Sequence, residues 1–104
     1  NIGMSLHSDR ELGISSAAAI HVAASETMIS HSIDTHLLEQ ADDIITAPFR
    51  FEGGKVRVPE GPGLGVEIDR DKLEFYARRH REVGEVSEFQ DPAQSTFRAK
   101  FPKF

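Results

Sequence analysis

The chain has 104 residues, 28% of them charged and 38% hydrophobic, the proportions of one small soluble domain. It contains no cysteine, which excludes a disulfide framework, a thiolate zinc site and a cysteine nucleophile, and leaves His, Asp and Glu as the metal ligands to consider. With 17 acidic against 12 basic residues and a formal charge of -5, nucleic acid is not an expected partner.

In chain order, Asn1 to His7 reads as a short apolar strand already under way at its first residue, so the chain is expected to be a piece of a longer polypeptide. Ser8-Asp9-Arg10-Glu11 has the Ser-x-x-Glu spacing of a capping box, which predicts a helix start at that point. From Leu12 to Ser25 the residues are small or apolar on every face, as in a helix packed on more than one side. This stretch is interrupted by His21 and is too short to span a bilayer. No basic region precedes an apolar core as it would in a signal peptide. A cytoplasmic protein with no membrane partner is therefore expected.

Ile29 to His36 alternates weakly and predicts a second strand. Strand, helix, strand is the order of a parallel crossover unit, and parallel strands need neighbours, because their sheets are buried on both faces. Phe49-Arg50-Phe51-Glu52-Gly53-Gly54-Lys55-Val56-Arg57-Val58 alternates strictly about a Gly-Gly turn, which predicts a hairpin pairing Glu52 with Lys55, Phe51 with Val56 and Phe49 with Val58. A Gly/Pro-rich connector then leads to Val66-Glu67-Ile68 and an acidic helix start at Asp69 to Asp71. Leu73, Tyr76, Ala77 and His80 recur at helical spacing, with Arg78, Arg79 and Arg81 near the C-terminal end where they suit the dipole. Beyond Gly84, Phe89, Phe97, Phe101 and Phe104 are expected to lie in an extended strap held against a larger body.

Of five histidines, His7 and His36 stand at the C-terminal ends of the two predicted parallel strands, the edge where such sheets and barrels build their sites. Imidazole titrates near neutrality and can give or take a proton at working pH. The plainer alternative is a pair of histidines hydrogen-bonded to backbone. Ser8 and Asp9 read locally as helix caps, and a helix N-terminus beside His7 also suits a carboxylate ligand. Asp34, two residues before His36, is placed to orient that ring or to bind a hydroxyl, with an ordinary buried, hydrogen-bonded aspartate as the plainer alternative. His21 reads as a satisfied core histidine, and His31 and His80 as solvent-facing. The pairs Asp42-Asp43 and Asp69-x-Asp71 have no third ligand at calcium-loop spacing and read as capping or solvated residues.

Taken together, His7-Ser8-Asp9, Glu11-Leu12-Gly13-Ile14-Ser15, His21-Val22-Ala23-Ala24, Ile33-Asp34-Thr35-His36, Phe51-x-Gly53-Gly54-x-Val56 and Val58-Pro59-x-x-Pro62-Gly63-Leu64-Gly65-Val66-Glu67-Ile68-Asp69 resemble the C-terminal part of the enolase superfamily. Within it the likeness is to the mandelate-racemase-type acid-sugar dehydratases, and most of all to the glucarate dehydratase group. The resemblance implies an α/β fold: the last two strands and intervening helix of a modified (β/α)7β TIM-like barrel, followed by the return segment to an α+β capping domain. Residues 1–40 would be barrel, and residues 41–104 the hairpin, connector, helix and tail associated with the capping domain.

The same resemblance implies that His7 is the general acid/base on one face of the substrate, partnered by an Asp on the preceding strand and opposed by a Lys on an earlier one. It further implies that Ser8, Asp9 and His36 contact substrate, with Asp34 in support. At Asp9 the glucarate dehydratases commonly carry Asn, which bears on the choice of sugar acid. The implied reaction abstracts the proton alpha to a carboxylate and eliminates the β-hydroxyl, with Mg2+ as cofactor and its ligands outside this chain. The implied partners are a sugar diacid or related hydroxy acid, the remainder of the barrel and capping domain, and further copies of the full enzyme in a homo-oligomer. This chain alone is expected to be inactive. Racemisation, epimerisation or lactonisation by the same superfamily is one alternative, and a small non-catalytic α+β binding module is another. A barrel piece should expose apolar surface on Ile2, Met4, Leu6 and the Ala-rich helix.

Overall fold

A computed structural model describes residues 2–7 and 11–84. The chain divides into two compact units, residues 1–73 and 74–104. The Phe-rich tail, like Ser8 and Asp9, lies outside the described residues.

The first unit opens with the predicted crossover. Residues 2–7 run parallel to the segment that begins at Met28, with Met4 opposite Ile29 and His7 opposite Asp34. Met4 N–H donates to Met28 O (2.7 Å) and Asp34 N–H to Leu6 O (2.9 Å). Two residues lie between the bridge points on the first segment and four on the second, so the second carries a two-residue bulge. The Ser5 hydroxyl donates to Ser32 O (2.7 Å) within it. The pairing is therefore a pair of isolated bridges rather than the regular strands expected, because the bulge breaks the ladder.

Between these segments, α1 spans Gly13–Ser25. The helix starts later than the capping-box spacing predicts: Leu12 is the N-cap residue of α1 and supplies no side-chain bond, while Ser8 lies outside the described residues. The orphan amide of Gly13 donates instead to Asp43 Oδ1 (2.9 Å), which also accepts from Ile44 N (2.6 Å). A carboxylate at that end of a helix satisfies a free donor and opposes the positive pole of the dipole. Ala17 and Ile20 of α1 are buried, as are Ile44, Ile45, Ser16 and Asp43, and Gly13 lies against Ile45. Gly13 permits this contact, since a Cβ there would stand 2.6 Å from Ile45 Cδ1.

Much of the remaining apolar surface is open. Ile2 is 82% exposed, Met4 47% and Val22 50%, as expected of a barrel piece, although Leu6 is half-buried. The helix is buried along one line of residues only.

A single 3-10 turn, Leu37–Glu39, follows the second segment. The hairpin has the predicted register near its turn, with Phe51 opposite Val56 and Glu52 opposite Lys55 in β1 (Phe51–Glu52) and β2 (Lys55–Val56). Gly53 and Gly54 take φ of 58° and 74°, the two left-handed residues of a type I′ turn. The ladder ends there, short of the expected Phe49–Val58 pair. Past the connector, Ile68 bridges Ile45 antiparallel, with Thr46 N donating to Glu67 O (2.9 Å) and Asp69 N to Ile44 O (2.8 Å). The Asp69 carboxylate then caps α2 (Arg70–Val83) by accepting from Asp71 N and Lys72 N. Gly84, at φ 74°, ends the helix as its left-handed cap. In the second unit, Arg81 pairs with Glu74 and the rings of Phe75 and Tyr76 meet edge to face. Among the described residues no helix is long and apolar enough to cross a membrane.

Candidate functional site

The parallel pairing brings His7 beside Asp34, whose Oδ2 lies 3.5 Å from His7 Nε2. That is ion-pair distance, longer than a strong charge-assisted hydrogen bond. The ring of His36 stands 6.3 Å from that of His7, centroid to centroid, at an interplanar angle of 60°. Three of the sequence-predicted site residues thus gather at one end of the crossover unit, because His7 ends the first segment and Asp34 and His36 end the second.

Two expectations change in detail. His36 is not on a strand: with φ -94° and ψ 10° it is the N-cap of the 3-10 turn, because the chain leaves the parallel pairing after Asp34. The Asp34 carboxylate accordingly faces His7, while His36 Nδ1 lies 2.9 Å from Glu39 Oε2. Glu39 was not singled out from the sequence, and only its i,i+3 spacing from His36 could have pointed to it.

The pair lies on an open surface. The His7 side chain is 70% exposed and that of Asp34 64%, whereas His36 is 29% exposed. Neither histidine lines the cavity of about 340 Å³ formed by α1, the bulged segment and the hairpin, whose walls include Ser16, Ile33, Thr35, Phe51 and Val56. An exposed imidazole beside a carboxylate, with a second imidazole within reach of the same small molecule, can exchange a proton with a ligand and hydrogen-bond it at a second point.

The other histidines stay out of this cluster. His21 is half-buried and its Nε2 lies 3.1 Å from Leu64 O, which ties the connector to α1; His31 and His80 are exposed. Asp42 pairs with Lys72, and Asp43 caps α1. Among the described residues no three His, Asp or Glu side chains come together as they must to hold a metal ion. The magnesium implied by the resemblance therefore finds no donor set in these residues, and no step is assigned to it.

Known proteins share this arrangement of segments. Over 78 residues the chain is 47% identical to the probable glucarate dehydratase of Streptomyces coelicolor, covering 75% of this chain and 18% of that protein. It is 36% identical over 66 residues to muconate cycloisomerase 1 of Rhodococcus opacus, covering 62% of this chain and 18% of that one. The crystal structure of an isomerase from Streptomyces coelicolor superposes with a TM-score of 0.76 at 47% identity, over 82% of this chain and 23% of that one. A Mycobacterium smegmatis enolase complexed with formate and acetate gives 0.74 at 39%, over 80% and 20%. The chain thus spans about a fifth of the length of these relatives. Residues 1–72 match the model of one family, more than half of the sequence, and the chain belongs to that family, Enolase C-terminal domain-like.

Proposed function

We propose that these residues form one wall of the active site of an acid-sugar dehydratase, in which His7 is the general acid/base. The observation that carries this reading is the cluster of His7, Asp34 and His36, with ring centroids 6.3 Å apart, in a chain 47% identical to a probable glucarate dehydratase. The substrate class is a sugar diacid or related hydroxy acid. Residues 1–40 contribute the last two barrel strands and their helix, and residues 41–104 the part associated with the capping domain. The remaining strands, the magnesium ligands and the opposing base come from polypeptide other than the residues described, in an enzyme assembled as a homo-oligomer.

The reaction removes the proton from the carbon alpha to the carboxylate, breaks the bond from the adjacent carbon to its hydroxyl, and releases water and an enol that tautomerises to a 2-oxo acid. His7 supplies the proton that leaves with the hydroxyl, or takes the alpha proton when the substrate is the opposite epimer. The Asp34 carboxylate attracts the imidazolium whenever the ring is protonated. His36 binds a substrate oxygen, and Ser8 and Asp9, directly after His7, add contacts to the same ligand.

The test is a panel of aldarates offered to the full-length protein, with 2-oxo acid formation as the readout and His7→Asn beside the wild type. The wild type should dehydrate at least one aldarate, and the variant should lose about 10²- to 10⁴-fold in rate. A protein that ignores every aldarate but cyclises muconate would replace this reading with that of the cycloisomerases, and full activity in His7→Asn would remove His7 from the chemistry.

A further inference from the structure

Two stretches near the histidine end of the crossover unit lie side by side, residues 11–13 at the start of α1 and residues 40–43 beyond the 3-10 turn. They are tied to each other twice. The Gln40 side-chain amide donates to the backbone carbonyl of Glu11 (2.7 Å), and the Gly13 amide donates to Asp43 Oδ1 (2.9 Å). Asp43 is 9% exposed, and Gly13 is buried against it, so close that a Cβ would stand 2.8 Å from Asp43 Oδ2. Gln40 Oε1 is buried with no hydrogen-bond partner among the described residues, so the bond to Glu11 is what sets the direction of this amide.

Neither tie touches His7 or His36, yet both lie within seven residues of one or the other. The parallel bridge His7–Asp34 pairs the same two parts of the chain at the histidine end. We propose that Gln40 and Asp43 are positioning residues that clasp these two stretches and thereby hold the spacing of the His7 and His36 rings. The proposal rests on the reading of those two histidines as site residues. A helix cap alone would need only Asp43, whereas Gln40 binds a carbonyl outside the helix and adds nothing to the cap. The two ties share one geometric consequence, the register of residues 11–13 on residues 40–43.

The test uses the full-length protein and the variants Gln40→Leu, Asp43→Ala and Asp43→Asn, the last keeping a side-chain oxygen that can accept from Gly13. The first readout needs no substrate: the nuclear Overhauser contact between the ring protons of His7 and His36 in protein with labelled histidine. The second is kcat and KM on the aldarate that the wild type dehydrates. The wild type and Asp43→Asn should show the ring contact; Gln40→Leu and Asp43→Ala should lose or weaken it and drop kcat roughly ten- to a hundred-fold, as a small misplacement of a catalytic group does. Should Asp43→Ala fail to fold, Gln40→Leu decides the matter alone. An unchanged ring contact and kcat in folded Gln40→Leu overturns the clasp even if its Tm falls, and so does a wild type without the ring contact. A wild type with the ring contact but no dehydratase activity would sink the proposed function and leave the clasp to be judged on the contact alone.

Discussion

His36 and Glu39 face each other across one 3-10 turn, with Nδ1 of the imidazole 2.9 Å from the glutamate Oε2. A carboxylate at that position fixes the orientation of the ring. On the proposed function, Glu39→Ala in the full-length protein should therefore loosen substrate binding more than chemistry. KM for the aldarate that the wild type dehydrates should rise about three- to ten-fold, the worth of one hydrogen-bonded orientation, with a smaller change in kcat. Steady-state kinetics beside His7→Asn makes the contrast. A loss confined to kcat would move His36 from binding to the proton-transfer step.

Gly13→Ala sets helix propensity against packing. Alanine is favoured over glycine by about 1 kcal/mol within a helix, but its Cβ would lie 2.6 Å from Ile45 Cδ1 and 2.8 Å from Asp43 Oδ2. Ile45 is 1% exposed and has nowhere to go, so overpacking of about 1–3 kcal/mol should outweigh the propensity. Urea unfolding of the full-length protein should show a net loss of about 1 kcal/mol or more. A gain in stability would mean that the junction of α1 with residues 43–45 yields freely.

What could be read from the sequence was local. Alternation about Gly53-Gly54 sets the hairpin register over its first two pairs, and Asp69 and Gly84 mark the ends of α2, because each signal lies within a turn of the feature it controls. The start of α1 could not be read in the same way. Ser8 and Glu11 carry a capping-box spacing, but the cap comes from Asp43, thirty residues further on, and only the tertiary fold brings that carboxylate to Gly13. The bulge between Ile29 and Asp34 was hidden for a related reason: two extra residues in a weakly alternating segment leave no mark on its period, yet they decide which residue faces His7. The nearness of His7 and His36 was legible from their places at the ends of two parallel segments. The parts played by Glu39 and Gln40 were not, since a single 3-10 turn has no periodicity to read.

The hairpin turn offers a gain. Gly53 and Gly54 both have positive φ, and a side chain at either would meet nothing within 4 Å. Asparagine tolerates the left-handed region and suits the first central position of a type I′ turn, while narrowing the unfolded ensemble relative to glycine. Gly53→Asn should stabilise the protein by about 0.4–1 kcal/mol, and Gly53→Val should destabilise it by about 1–2 kcal/mol. Thermal unfolding of the two variants tests this, and a valine variant as stable as the asparagine one would be incompatible with the turn described.

At the start of α2 a cap and an ion pair compete as the main anchor. Asp69 Oδ1 accepts from Asp71 N at 3.1 Å and Lys72 N at 3.0 Å, which satisfies two of the four orphan amides of the helix. The Lys72–Asp42 pair is more than a third exposed on both sides, so solvent screening limits its worth to about 0–1 kcal/mol. Asp69→Ala should then cost about 1 kcal/mol and Asp69→Asn only a few tenths, while Lys72→Met should cost less than Asp69→Ala and lose its effect in high salt. Chemical unfolding at low and high ionic strength separates the two contributions. A salt-sensitive loss in Lys72→Met that exceeds the loss in Asp69→Ala would mean that charge pairing to Asp42, rather than capping by Asp69, holds the first turn of α2 in place.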